Sequence, residues 1–364
     1  MKRLLKITSV LVVLTLAACL SACGKTETAK MDIAMITTEK SSLNDGNFNQ
    51  STFEGIKRYA ENNNVTYEVY PPESRSEDDY LKAMETANKA GAQVIITPGF
   101  NFETTVFAAQ ELYPDIHFVL IDGVPNDGKY TETSEKIAPN TYSVLFAEEQ
   151  AGFLAGYAIV KDGFKNLAFL GGREFPAVVS YGHGFVQGAE FAAKELGLPK
   201  GEVEVRYDYA GNFEPTPENQ AKAAAWYNDG VEVIFACGGA MGNSVIQAAN
   251  SMQEKWVIGV DTDQSGDSDI VITSALKMIA NSVDSALKAH YDGTFPGGES
   301  IHLGANVDGV GLAMDNARFR TFTKAEYEKI YTMLAENQDG IASSIIKDMD
   351  VAAKDLPCVY VTVK

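Results

Sequence analysis

The sequence predicts an α/β protein built as two doubly wound lobes. Three observations carry that reading. Strand-length apolar runs alternate with stretches of helical periodicity from residue 31 onward. The alternation completes one set and restarts near residue 140. The chain, at 364 residues, is also longer than one hydrophobic core usually organises. A βαβα rhythm implies parallel strands joined by right-handed crossovers, with helices on both faces of each sheet.

In order, MDIAMIT (31–37) reads as a strand. Residues 47–63 read as an amphipathic helix, with Phe48, Phe53, Ile56 and Tyr59 at helical spacing. Strand 65–71 follows, then a helix over 77–90 stopped by Gly91. Strand 92–99, a helix from Thr104 to Pro114 and strand 116–123 close the first set. The second set has strands 140–146, 166–172, 202–211, 231–239 and 255–261. Its helices are 148–161, 180–196, 217–229 and 243–253. A strand over 270–276 and a helix over 279–292 follow.

Ahead of this body lies an export pattern. Lys2, Arg3 and Lys6 form a basic region, and residues 7–18 an apolar one. The run is shorter than the roughly 20 residues a membrane-spanning helix needs, so it reads as a cleavable signal over residues 1–22. Leu20-Ser21-Ala22-Cys23 then resembles a lipobox, whose cysteine thiol carries a diacylglyceryl group and, with it, palmitate-type acyl chains. Leu16-Ala17-Ala18-Cys19 fits the same pattern; Cys23 is preferred because a small polar tether, residues 23–30, follows it directly. Removing the leader takes the formal charge from −19 to −22. Such a surface repels nucleic acid. Cys237 and Cys358 lie in separate apolar contexts and read as buried free thiols. No Cys/His spacing suits zinc, and no metal or cofactor is expected.

Open α/β sheets bind ligands outside the carboxyl ends of their strands. After the first strand stand Asn44, Asp45, Phe48 and Asn49. Amides and a carboxylate can bond hydroxyls or base edges, and Phe48 offers a flat face. The same residues read equally as a loop, an N-cap and a core ring. After the third strand, Gly99 allows close backbone approach and Phe100 can line a cleft. In the second half, Phe213 can face Phe48 across the cleft as a slot for a flat heterocycle. The Cys237–Gly242 turn lacks the G-K-[ST] of a phosphate loop, so Gly239 is read as offering backbone to a neutral ligand. Asp261 can accept two vicinal hydroxyl protons. A calcium loop starting there fails, because Ile272 stands where a bidentate Glu is needed. Lys277 can donate to a hydroxyl and balance Asp261, or it is a surface lysine. No nucleophile–base pair shows, so no catalytic residue is assigned.

Four segments, taken in order, resemble the basic membrane protein family of substrate-binding lipoproteins, the purine-nucleoside receptors of ABC importers. They are Asn44–Gln50, Phe146–Gly156 (FAEEQAGFLAG), Gly259–Gln264 (GVDTDQ) and Thr273–Lys277 (TSALK). The resemblance covers essentially the whole chain after the leader. It implies a type I periplasmic-binding-protein fold with a hinge of crossover strands, a monomer, and a nucleoside between the lobes. The first lobe is expected over 31–145 plus about 263–305, and the second over 146–262 plus about 306–364. By the same resemblance, Phe48 and Phe213 sandwich the base, Asp261 and Lys277 hold the ribose, and Asn44 and Asp45 bond the ligand. The expected partners are an ABC permease and, through the lipid, the outer face of the cytoplasmic membrane. Where relatives carry an aspartate after Gly-Phe, this chain has Asn101-Phe102-Glu103; either Glu103 substitutes or the base preference differs. The residues alone also fit a sugar- or autoinducer-type ligand, or a surface receptor's ligand-sensing partner.

Overall fold

The computed structural model describes residues 31–38, 43, 48–129 and 134–364. The export signal, Cys23, the tether, Asn44 and Asp45 lie outside those residues.

Two sheets form the frame. The first has strands β1 (Ile33–Ile36), β2 (Tyr67–Tyr70), β3 (Val94–Pro98), β4 (His117–Ile121) and β5 (Thr141–Phe146), edged by β11 (Glu299–Leu303). Their order is β11-β5-β4-β3-β1-β2, all parallel. The second has β6 (Asn166–Gly171), β7 (Val203–Tyr209), β8 (Val233–Cys237), β9 (Trp256–Asp261), β10 (Val271–Lys277), β12 (Val310–Leu312) and β13 (Val361–Val363). Its order is β12-β10-β9-β8-β6-β7-β13, parallel except where β12 runs against β10. The first five strands of each lobe thus follow one plan. The sequence division assigned residues from about 263 to the first lobe; β10 instead lies in the second sheet, because it pairs with β9.

Helices α1 (Phe48–Asn63), α2 (Glu77–Ala90) and α3 (Glu103–Leu112) clothe the first sheet. Helices α4 (Glu148–Lys161), α5 (Pro176–Glu195), α6 (Pro217–Asn228) and α7 (Gly242–Asn250) belong to the second lobe. Helix α8 (Ile279–Tyr291) returns to pack on α1, and α9 (Lys324–Ala335) and α10 (Ile341–Ser344) close the chain. Boundaries follow local chemistry. Ser76 caps α2 by accepting from the Asp79 amide (3.2 Å), and Gly91 ends it at φ 96°. Helix α5 begins at Pro176, four residues before the expected Ser180, because proline suits the first helical turn. Among the described residues no helix is long and apolar enough to cross a membrane.

Helix α4 is buried almost all round, with twelve of its fourteen residues inside. Its partner is α5, and glycine makes the contact possible. A Cβ on Gly152 or Gly156 would collide with the carbonyl oxygens of Tyr181 and Phe185; one on Gly184 or Gly188 would collide with those of Glu149 and Phe153. The two backbones therefore touch along two turns. Gly156→Ala is expected to destabilise the protein by about 1–3 kcal/mol or more, since neither carbonyl can retreat within its helix. Chemical denaturation with an unchanged m-value would check this.

Beneath the first sheet, His117 on β4 and His290 on α8 share a proton through their Nδ1 atoms (2.8 Å), and Phe295 stacks on His117 at 3.9 Å. At least one ring must stay neutral. Burial, then the neighbouring His117, pushes the His290 pKa down to about 4. The folded pKa lies below the unfolded value of about 6.5, so the unfolded chain binds more protons between the two. Stability is expected to fall as pH drops from about 6.5 towards 4, and His290→Gln should flatten that slope in melts across the window.

Candidate functional site

The ends of β4, β9 and β10 and the start of α4 converge between the lobes, and Lys277 is their centre. Its side chain is 2% exposed. The ammonium bonds Asp122 Oδ2, lies 2.9 Å from Glu148 Oε1 and 4.0 Å from Asp261 Oδ1. The rings of Phe48 (5.4 Å), Tyr181 (5.4 Å) and Phe146 (5.6 Å) surround it. Burial alone would lower the Lys277 pKa, but the three carboxylates outweigh it and raise the value, so the ammonium stays charged. Burial raises Asp122 and Glu148 against the pull of Lys277.

Asp122 and Asp261 occupy matching places in the two lobes, each just past or at the end of the fourth strand. Both adopt left-handed backbone, at φ 57° and 65°, which aspartate tolerates better than most side chains. That turn aims both carboxylates at the gap. Tyr181 Oη donates to Asp261 Oδ1 (3.3 Å). Gln264 props the same turn: its Oε1 accepts from the Val260 amide (2.9 Å) and its backbone N–H donates to Ser274 Oγ (3.0 Å). Asp263 faces away, capping the following turn through Ser265 and Asn316.

The aromatic residues form a second group. Phe100, from the first lobe, meets Phe175, from the second, with centroids 4.0 Å apart. Phe175 in turn lies parallel to Phe213, at 6.0 Å and 9°. The Phe213 ring packs where a Cβ on Gly172 would be. Arg75 and Glu214 pair at 3.2 Å across the same lobe boundary. A Cβ on Gly99 would lie 3.8 Å from the Phe48 ring, and Phe48 makes no ring contact with Phe213 among the described residues. Asn49 is half-buried beside Phe48 on α1, and Gly239 takes φ 55° just after β8.

Asp261, Lys277 and Phe48 therefore meet, while Phe100 and Phe213 gather around Phe175. Lys277 is no surface lysine, and its tightest partners are Asp122 and Glu148. Those two, with Tyr181 and Phe175, were not singled out from sequence as site residues. Asp122 ends an apolar strand just as Asp261 does, which is the signal that could have found it. Glu103 is occupied elsewhere: its carboxylate accepts from the Val124 amide (3.0 Å) and Asn126 Nδ2 (2.8 Å), so it holds the 124–126 loop. Cys237 and Cys358 are free thiols. Among the described residues no cluster of His, Cys, Asp or Glu could hold a metal.

The family model described as Bmp, "ABC transporter substrate-binding protein PnrA-like", matches residues 31–347. The chain belongs to the Bmp family. Among curated relatives, the "ABC transporter nucleoside-binding protein BmpA" of Lactococcus lactis subsp. cremoris is 31% identical over 330 residues, covering 84% of this chain and 89% of that one. Basic membrane protein D of Borreliella burgdorferi is 27% identical over 342 residues, covering 93% of each. Among solved structures, an ABC transporter solute-binding protein from Aeropyrum pernix K1 superposes with a TM-score of 0.64 at 22% identity, covering 86% of this chain and 89% of that one. The fold is that of type I periplasmic binding proteins, and this Bmp protein is an ABC transporter substrate-binding protein.

Removing the ammonium would leave three buried carboxylates uncompensated. Lys277→Met is expected to cost about 3–5 kcal/mol at neutral pH. The remaining carboxyls would titrate above their unfolded values, so the folded variant gains protons and the deficit shrinks in acid. Denaturant titrations of both proteins at neutral and acid pH check the size and the sign.

Proposed function

We propose that this Bmp protein captures a nucleoside, purine in class, between its two lobes and delivers it to an ABC permease. In this reading Cys23 carries the lipid that holds it on the outer face of the membrane, and it binds its ligand without chemical change. The carrying observation is the pairing of two unlike surfaces at the strand ends. One is a charged knot, Asp122, Glu148, Asp261 and Lys277, suited to hydroxyl donors. The other is an aromatic set, Phe100, Phe175 and Phe213, with the Phe48 ring beside Lys277, suited to a flat ring. A ribose and a base need those two surfaces together. The named nucleoside-binding relative supports the same ligand class.

Asp261 and Lys277 would hold the ribose, with Asp122 Oδ1 as a further acceptor, since it is buried without a hydrogen-bond partner among the described residues. Phe48 and Phe213 would flank the base, with Asn49, Phe100 and Gly239 completing the walls, and, as the family resemblance implies, Asn44 and Asp45 would bond the ligand. Contacts between Phe100 and Phe175, and between Arg75 and Glu214, join the two lobes, so ligand and closure would stabilise each other. Three carboxylates against one ammonium would also repel a phosphate, which selects nucleosides over nucleotides.

Calorimetric titration of the ligand-stripped protein with nucleosides, free bases, ribose and nucleoside monophosphates tests the reading. Tight one-to-one binding of nucleosides alone is expected. Asp261→Ala should weaken it by about 1.5–3 kcal/mol for each ribose hydrogen bond lost. Sugar binding without a base requirement would keep the fold and overturn the nucleoside.

A further inference from the structure

Where the chain passes between the lobes lies a cavity of about 560 Å³ that shares no lining residue with the site described above. That is within the usual size range of small-molecule sites. Its walls come from connections between the lobes and from the C-terminal segment. Ala147 and Gln150 belong to the passage from β5 into α4, and Gly304 and Asn306 to the passage from β11 to β12. Gln150 Oε1 ties the two by accepting from the Ala305 amide (2.9 Å).

Glu149 lines this cavity and is 5% exposed. Its Oε2 has no hydrogen-bond partner among the described residues. Its Oε1 lies 3.7 Å from Lys347 Nζ, too far for a hydrogen bond. Lys347 is half-exposed and also lines the cavity. Buried polar groups are nearly always satisfied, so the unpartnered Oε2 calls for a donor. The terminal torsion of glutamate is soft, and turning it presents either oxygen to the cavity. An ordinary amine would meet Glu149 but be repelled by Lys347; an ordinary acid would meet the reverse. A molecule bearing both charged groups on one carbon would open the loose ion pair and satisfy both ends. Leu334 and Ile345 supply an apolar wall for a side chain, and His302 and Asn306 form a polar rim.

We propose that this cavity is a second binding site, distinct from the interlobe cleft, for a zwitterion of the free α-amino-acid class. Glu149 is joined by one peptide link to Glu148, which holds Lys277 in the cleft. The two sites therefore lie back to back across the first turn of α4.

The test uses the purified protein with the twenty standard amino acids in a thermal-shift screen, then calorimetry on those that shift. Ethylamine and acetate serve as singly charged controls. At least one amino acid is expected to bind one-to-one, with both controls weaker by about tenfold or more. Glu149→Gln and Lys347→Met should each weaken the amino acid by about tenfold or more, as expected for lost charge-assisted hydrogen bonds. Asn306→Trp alters an exposed rim residue without touching the core, and it should block binding while leaving the unliganded melting temperature unchanged. No amino acid binding to the unaltered protein would overturn the proposal. So would a control that binds equally well, or binding unaffected by Asn306→Trp, which would put the ligand elsewhere.

Discussion

The buried ammonium of Lys277 is the interaction on which the junction of the lobes depends. A charge removed from water costs several kcal/mol unless it is paired and bonded. Here its partners come from three separate pieces of chain: Asp122 after β4, Glu148 at the start of α4, and Asp261 at the end of β9. The first belongs to one lobe, the last to the other, and Lys277 ends the strand from which the chain crosses back into α8. None of the four side chains can move far without exposing or isolating a charge. The requirement fixes where the strand ends sit relative to one another, and the cleft takes its shape from that.

The likeness between the lobes is chemical as well as topological. Each places an aspartate in left-handed backbone at the end of its fourth strand, and each follows its third strand with a glycine of positive φ, Gly99 or Gly239, that opens a short 3-10 turn. The lobes diverge at their rims. The second carries the antiparallel β12 and the added β13, and its C-terminal segment is strapped down by side chains from distant helices. Glu190 accepts from the amides of Val359, Tyr360 and Val361, and Asp162 from those of Thr321 and Phe322.

Most of the frame was legible because its strands are buried on both faces and so are nearly continuous apolar runs. The helices over 77–90 and 148–161 sit where the sequence put them. The reading ran out after residue 292. Strand β11 is an exposed edge with no apolar run, and α9 buries only Ile330 and Leu334. Its capping box, Thr323 with Glu326, was a signal in the sequence that periodicity alone does not use. In the site, Asp261, Lys277 and Phe48 stand out at strand and helix ends. Phe175 and Glu148 do not, because what matters about them is which distant chain they meet. Phe175 precedes a proline in a polar loop, and Glu148 is one of two adjacent glutamates whose side chains face opposite directions. Only the fold distinguishes the cleft glutamate from its neighbour.

The glycine seam between α4 and α5 has a mechanical consequence. Side chains packed between helices act as bearings, able to change rotamer and let one helix slide on the other. Backbone pressed on backbone has no such slack. Helix α4 begins at Glu148, on the cleft, and α5 carries Tyr181, whose hydroxyl reaches Asp261. A displacement felt at the first is handed to the second without loss. In the proposed closure the second lobe would therefore move as one stiff lever, with its compliance confined to the short crossings where the chain passes between the sheets.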